Sequence, residues 1–500
     1  MAGPAWRAYG GGPPVLKARR PTVLVRNAEI GGRRADVRAG PERIEEVGPR
    51  LARQPGEEVV DAAGGAVIPG LHDHHLHLRA AVAARESVDA SQVRDSASFD
   101  RLIAAAATAD GATAGRWVRA IGWDEHSAGL LDRRRLDSLT GRVPTRVQHR
   151  SGAIWLLNSA ALRAIGAERC ELDGIERDAA GAATGRLVRM DAWLAARLAS
   201  IGAGQDQRTA ASGLAEFAAS SSALGITGFT DATPGRDLAD AEELAALSEA
   251  EVFPQRLVLM IPAGLRIGCA GRVAIGPVKL LLDDDTLPTA QSLAGEIGRA
   301  HADGRGAAVH CVTAEQLVVA VAAFEQAGPP PADTADRIEH AGVVPPGYAE
   351  RLACLGLAVV TQPGFISQRG DQYALHVQPP ERAWLYPCAS LLQAGVPVAA
   401  SSDAPFGPAD PWLAIATAVS RRTSSGTVLG EDERVSAGQA LRLYLAAAGD
   451  VRRVRTIAPG EPGELCVLRA PLRAVLADPL SAEVAATIIG GRLTGQYASH

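Results

Sequence analysis

The stretch LHDHHLHL at 71–78, following directly on the apolar run AVIPGL at 66–71, decides how this chain is read. On a strand, alternate residues point to the same side, so His75 and His77 at i and i+2 can turn both imidazoles toward one metal ion. Asp73 shares that side. His72 and His74 have the opposite parity and are expected at the surface or behind the ligands.

Working outward, seven more short apolar runs follow: GITGFTDA at 225, RLVLMIP at 256, PVKLLLD at 277, GAAVHC at 306, RIEHA at 337, AVVTQP at 358 and VPVAASSD at 396. From the second run on they are spaced by roughly 20 to 40 residues, the length of a strand plus a crossover helix, which predicts a parallel β/α array. Thr313 with Gln316 and Ser436 with Gln439 fit the capping box ahead of apolar helical periodicity. Eight such units closing on themselves predict an α/β fold of the (β/α)8 TIM-barrel type, whose active site lies at the carboxyl ends of the strands. A doubly wound sheet is the rival, but no G-x-G-x-x-G follows any run.

Residues 80–224 are too long for one crossover and carry their own strand and helix signals, so they are expected to form an insertion over the barrel mouth. The turn-rich apolar runs of 22–68 and 455–500 are each too small to bury a core alone and are expected to pair as one discontinuous β-domain. The barrel then spans 69–454, behind a Gly/Pro-rich flexible leader at 1–21.

With 500 residues, 47% of them hydrophobic and 21% charged, the chain can bury a large core. A net charge of -5 without a Lys/Arg run excludes the cationic footprint of nucleic-acid binding and favours a small-molecule substrate. No stretch offers a secretory h-region or the ~18 apolar residues of a membrane span. Cys170, Cys269, Cys311, Cys354, Cys388 and Cys466 are scattered, which suits free thiols in a reducing, cytoplasmic setting. A homodimer is left open.

His310 ends the fifth run, His340 the sixth and Asp403 the eighth, while Lys279 lies in the fourth and is, with Lys17, one of only two lysines. Imidazoles and a carboxylate at separate strand ends suit borderline metals, Zn above all, with Mn or Fe as alternatives. Trp123 and Asp124 in GWDE, with Phe365 and Phe406, are candidate substrate-pocket residues; packing of the insertion against the barrel is the other reading of them.

PGLHDHHLHL, KLLLDD, AVHC, RIEHA and SSDAPF, in this order, resemble the metal-dependent amidohydrolase superfamily. GWDE, HRSGAIWLLNSAAL and VKLLLD resemble its amidohydrolase 3 branch, over roughly residues 22–495. The resemblance implies a distorted (β/α)8 barrel with a small β-sandwich built from both chain ends. It also implies that His75 and His77 hold one metal and His310 and His340 a second. A Lys279 carbamate, formed from carbon dioxide, would bridge them, and Asp403 would bind metal and shuttle the proton. An ordinary Lys279, paired with Asp283, Asp284 or Asp285, stays open. The implied activity is hydrolysis of a non-peptide C–N bond in an amide or cyclic amide. Where many relatives carry a His ahead of Trp and Asn-Ser, this chain reads Gly152-Ala153-Ile154-Trp155, which points to a different substrate contact. A mononuclear deaminase of the same superfamily expects a His-x-x-Glu, but His310 is followed by Cys311, Val312 and Thr313. A non-catalytic scaffold is the third alternative, and none of the expected ligands is lost. No G-x-S-x-G nucleophile motif is present.

Overall fold

Strands that are apolar along their whole length belong inside a parallel sheet covered on both faces. A computed structural model, describing residues 21–108, 117–203, 207–268 and 271–496, places nine strands in two parallel sheets: one from each of the eight runs and one more, Val273–Ile275. One sheet orders Val273–Ile275, Arg256–Leu259, Ile226–Asp231 and Leu71–Leu76. The other orders Val278–Leu280, Ala307–Cys311, Arg337–His340, Ala358–Thr361 and Val398–Ala400. The expected leader, apart from Pro21, and Cys269 lie outside the described residues.

The chain passes between the sheets at Gly276-Pro277. Proline has no amide hydrogen, so the ladder breaks there. Gly276 N still donates to Leu259 O at 2.8 Å in the first sheet, and Val278 N donates to Gly306 O at 2.8 Å in the second. At their other edges Asp403 N donates to His75 O at 2.8 Å and His77 N to Ala404 O at 2.9 Å. The fold is mixed α/β, with helices such as Ala290–Ala302, Ala314–Ala327 and Ala437–Tyr444 packed on the strands. One apolar core joins both sheets to this helical layer through Leu71, Phe229, Leu257, Val309, Ile338 and Val359.

The expected first run is split. Val67–Pro69 pairs with Leu465–Leu468, and only Leu71–Leu76 enters the parallel sheet. The divider, Gly70, lies so close to its neighbour that a Cβ would come within 2.2 Å of the Thr227 side chain. The chain ends form two four-stranded sheets, Ile44–Gly48, Arg33–Ala39, Val23–Ile30 and Glu58–Asp61 in one and Arg492–Gln496, Val484–Ile489, Leu465–Leu468 and Val67–Pro69 in the other. They share a core of Val23, Val25, Val37, Leu465, Val467 and Ile488.

Between helices Leu78–Arg85 and Gln207–Ala223, the chain builds a separate six-stranded sheet running from Val88–Asp89 to Ala183–Val188. The Ser436 capping box forms in full. At Thr313 only half forms: its side chain accepts from Gln316 N, while Gln316 Oε1 takes Val312 N at 2.7 Å instead. Cys170, Cys311, Cys354, Cys388 and Cys466 are unpaired thiols. Among the described residues, no helix is long and apolar enough to cross a membrane.

Candidate metal centre

Five strands, Leu71–Leu76, Val278–Leu280, Ala307–Cys311, Arg337–His340 and Val398–Ala400, bring polar residues to one place. Asp403 Oδ1 lies 3.2 Å from His77 Nε2 and 3.6 Å from His75 Nε2. These three residues each offer a donor atom within 4.8 Å of the other two. Lys279 Nζ is 3.5 Å from His75 Nε2. The His340 ring stands 4.7 Å from that of His75 and 4.6 Å from that of His310, centre to centre. All six candidate ligands therefore belong to one chain of contacts, with His310 reached through His340.

Asp403 Oδ1 is buried and accepts no hydrogen bond, although imidazole nitrogens face it. A buried oxygen left unpaired is costly, and a cation held jointly with His75 and His77 would satisfy it. Nitrogen and carboxylate donors in this ratio fit a borderline divalent ion.

The electrostatics keep the donors in their ligating forms. Burial, reinforced by the charges of Lys279 and His340, holds the His75 imidazole well below its usual range. Burial acts alike on His310 and His340. Burial pushes the Asp403 carboxyl upward, but contact with His77 and the charges of His340 and His75 outweigh it, leaving the group below the ordinary carboxylate range. Burial pulls the Lys279 amine down to about 8, which favours the neutral form more than in a free lysine.

Glu339, Arg337 and Gln362, which sequence parity passes over, hold this cluster together with Asp73. Glu339 Oε2 takes His75 Nδ1 in a short hydrogen bond, leaving Nε2 to face the centre, and Arg337 pairs with the other Glu339 oxygen at 2.5 Å. Glu339 and His340 are consecutive, yet both reach His75. His340 has φ 70°, a left-handed conformation that breaks strand alternation. Asp403 is also left-handed, at φ 54°. Two such residues at one cluster store strain where a site needs fixed directions. Gln362 Oε1 holds His340 Nδ1 at 2.9 Å. Asp73 accepts from Ser402 N at 3.0 Å and Ser402 Oγ at 2.5 Å, tying the first strand to the segment carrying Asp403.

His72 and His74 are buried, not on the surface. His72 Nε2 meets Thr230 Oγ1 at 2.9 Å. Of the candidate pocket residues, Phe406 stands closest to the cluster, its ring 5.5 Å from that of His77. Gly152 at the tip of the insertion lies so close that a Cβ there would come within 2.5 Å of the Phe406 ring. Asp124 ties the insertion down, accepting from Gln372 Nε2 at 2.6 Å and pairing with Arg150 at 3.0 Å. Trp123 and Phe365 are buried in separate apolar clusters, with Leu136 and with Leu385 respectively. Lys279 makes no ion pair with Asp283, whose carboxylate instead pairs with Arg189 of the insertion.

Residues 58–494 match the amidohydrolase family, and the chain belongs to it. The chain is 28% identical over 508 residues to N-substituted formamide deformylase of Arthrobacter pascens, covering 89% of this chain and 91% of that one. Its fold is similar to that of an uncharacterized metal-dependent hydrolase from Pyrococcus furiosus, with a TM-score of 0.64 at 21% identity, covering 86% of this chain and 97% of the other. A second such hydrolase, from Pyrococcus horikoshii OT3, gives a TM-score of 0.65 at 19% identity, covering 88% and 98%.

Proposed function

We propose that the two parallel sheets form one distorted (β/α)8 barrel, capped by a β-sandwich from the chain ends, and that the protein is a metal-dependent hydrolase of non-peptide C–N bonds. The carrying observation is the convergence of His75, His77 and Asp403 within 4.8 Å, with Asp403 Oδ1 buried and unpaired. His75, His77 and Asp403 would hold a divalent ion, with His310, His340 and Lys279 providing for a second. Such an ion, Zn or else Mn or Fe, supplies Lewis acidity and lowers the pKa of water toward ~7.

The chain's own residues carry the rest. Asp403, kept as a carboxylate, accepts a proton from the attacking water and returns it to the departing nitrogen as the C–N bond breaks. Glu339 fixes the ring of His75 by its hydrogen bond. Lys279 forms a carbamate when its neutral amine attacks carbon dioxide and loses a proton, making the N–C bond; the depressed basicity of the buried amine supports this. Phe406, against His77 and under Gly152, borders the substrate.

Because the Arthrobacter relative is a deformylase of N-substituted formamides, these compounds head the substrate panel, followed by cyclic amides and esters. The expected result is release of free amine that stops on chelation and returns with Zn. Protein purified without chelator that holds less than about a tenth of an equivalent of metal and cleaves none of the panel would instead indicate a non-catalytic scaffold. Intact mass after mild desorption tests Lys279, which is expected to carry the added mass of one carbon dioxide.

A further inference from the structure

The wall beside His77 is built from parts of the chain far apart in sequence, and Arg369 joins them. It stands on the helix Gly364–His376, one turn after Phe365, so the two side chains share a face. The Arg369 guanidinium carbon lies 4.3 Å from the centre of the Phe365 ring, resting a flat cation on a buried aromatic group. Nη2 of Arg369 carries two hydrogens. It donates to Phe406 O in a short hydrogen bond and to Arg150 O at 3.3 Å. Arg150 O lies in the turn at the tip of the insertion, where Gly152 N donates to His149 O at 2.9 Å. Phe406 lies in the turn after the strand Val398–Ala400, where its own N donates to Asp403 O at 2.8 Å. Gly407 is pressed between that turn and the helix: a Cβ there would come within 2.2 Å of Ser402 O and 2.8 Å of the Phe365 ring.

One guanidinium therefore holds both the backbone behind the Phe406 ring and the insertion tip that touches it. We propose that Arg369 is a positioning residue that locks Phe406 and the insertion tip into one wall, against which the bulkier substituent of the substrate binds. The inference rests on the hydrolase reading above, in which Phe406 borders the substrate. Hydrogen bonds from a cation to carbonyl oxygens are stronger than those from a neutral donor, so a single side chain can fix two loops. Gly152 has no side chain with which to hold the ring, and its φ of 78° suits glycine. Contact between tip and ring thus depends on where the two backbones are fixed, and Arg369 fixes both. Its hydrogen bonds go to neither His75, His77 nor Asp403, so its loss is expected to be felt in substrate binding before chemistry.

Arg369→Met keeps an apolar stem over Phe365 and removes both hydrogen bonds. The probes are N-methylformamide and N-phenylformamide, which differ in the group offered to the wall. In this variant the KM of N-phenylformamide is expected to rise roughly fivefold to tenfold more than that of N-methylformamide, with kcat changing alike for the two. Arg369→Lys, which keeps a charged donor without the planar fork, should recover part of the difference. With Phe406→Leu already in place, Arg369→Met should no longer shift the KM ratio, because the arginine acts through that ring. A merely structural role would lower stability and kcat while leaving the ratio intact, and that result overturns the proposal. So does a shift in the ratio that persists without the Phe406 ring. A wild type that does not cleave both probes counts against the reaction assigned above and leaves the decision on Arg369 to hydrogen exchange. Peptides covering 149–153 and 403–408 are expected to exchange about threefold faster or more in Arg369→Met than in wild type, and unchanged exchange in either segment refutes the shared wall.

Discussion

On one face of the strand Leu71–Leu76 stand Asp73 and His75, continued by His77; on the other stand His72 and His74. All but His77 are fully buried, and burial pulls His72, His74 and His75 alike toward the neutral imidazole. What separates the faces is the partner set. His75 meets the carboxylates of Glu339 and Asp403, whereas the charges acting on His72 and His74 include those of Arg337 and Arg455. On the first face carboxylates stand beside the Lys279 amine, itself 3.5 Å from His75 Nε2; on the second the neighbouring charges are those of arginines. Burial of a histidine therefore marks nothing by itself; the carboxylates opposite decide which histidines can be ligands.

The largest effect should come from breaking the first face outright. His75→Ala is expected to reduce hydrolysis to background and to lose bound metal, while the far-UV circular dichroism stays near wild type, because the core around the strands is apolar and independent of the ion. Retention of full turnover and full metal content by this variant would remove the basis for the site.

A smaller effect follows from leaving His75 in place and removing only the charge that orients it. Glu339→Gln keeps the shape of the side chain but presents a weaker acceptor to His75 Nδ1. Metal affinity is expected to fall by roughly 10- to 100-fold, with turnover restored at high metal. Metal competition against a chromogenic chelator reads this directly. If Glu339 serves only to balance Arg337, affinity will be unchanged and only stability will fall.

These contrasts also show what the sequence makes legible. The eight apolar runs and their polar ends are visible because a strand buried on both faces must be apolar throughout, and its polar exceptions stand out. Thus Lys279, His310, His340 and Asp403 can be singled out without coordinates. Glu339 cannot, because alternation sends it to the opposite face from His340; the left-handed backbone at His340 that brings both to His75 has no signature in RIEHA. The split of AVIPGL at Gly70 is hidden for a related reason: periodicity does not reveal that Thr227 occupies the space of a Cβ. The grip of the insertion on the body, through Asp124 with Gln372 and Gly152 with Phe406, joins residues more than two hundred positions apart, and no local pattern reports it.

Asp73 sharpens the comparison through pH. Burial raises its carboxyl from the ordinary 3.8 to about 6, despite the hydrogen bonds from Ser402. A carboxyl raised on folding contributes stability that is full below its unfolded value and is lost as pH rises through about 6. Asp73→Asn abolishes that titration and can keep the Ser402 contacts, its Oδ1 accepting from Ser402 N and its Nδ2 donating to Ser402 Oγ. Relative to wild type, the metal-free variant should therefore gain about 1 to 3 kcal/mol between pH 4 and pH 8, read by urea unfolding at both pH values. A difference that does not change with pH would show that Asp73 keeps an ordinary carboxyl.

The smallest effect on activity is expected on the other face. His72→Gln removes the bond to Thr230 Oγ1 and shortens a ring that fills space against Gly228, where a Cβ would lie 2.4 Å from His72 Nδ1. The loss of a buried hydrogen bond and of packing should cost about 1 to 3 kcal/mol of stability. Because His72 shares neither the carboxylates nor the orientation of His75, metal content and turnover should stay within about twofold of wild type once the protein is folded, a change near the limit of what a ~0.4 kcal/mol perturbation produces. Metal content that falls in step with stability would mean that the two faces are mechanically coupled, and that the division between a ligand face and a packing face is drawn in the wrong place.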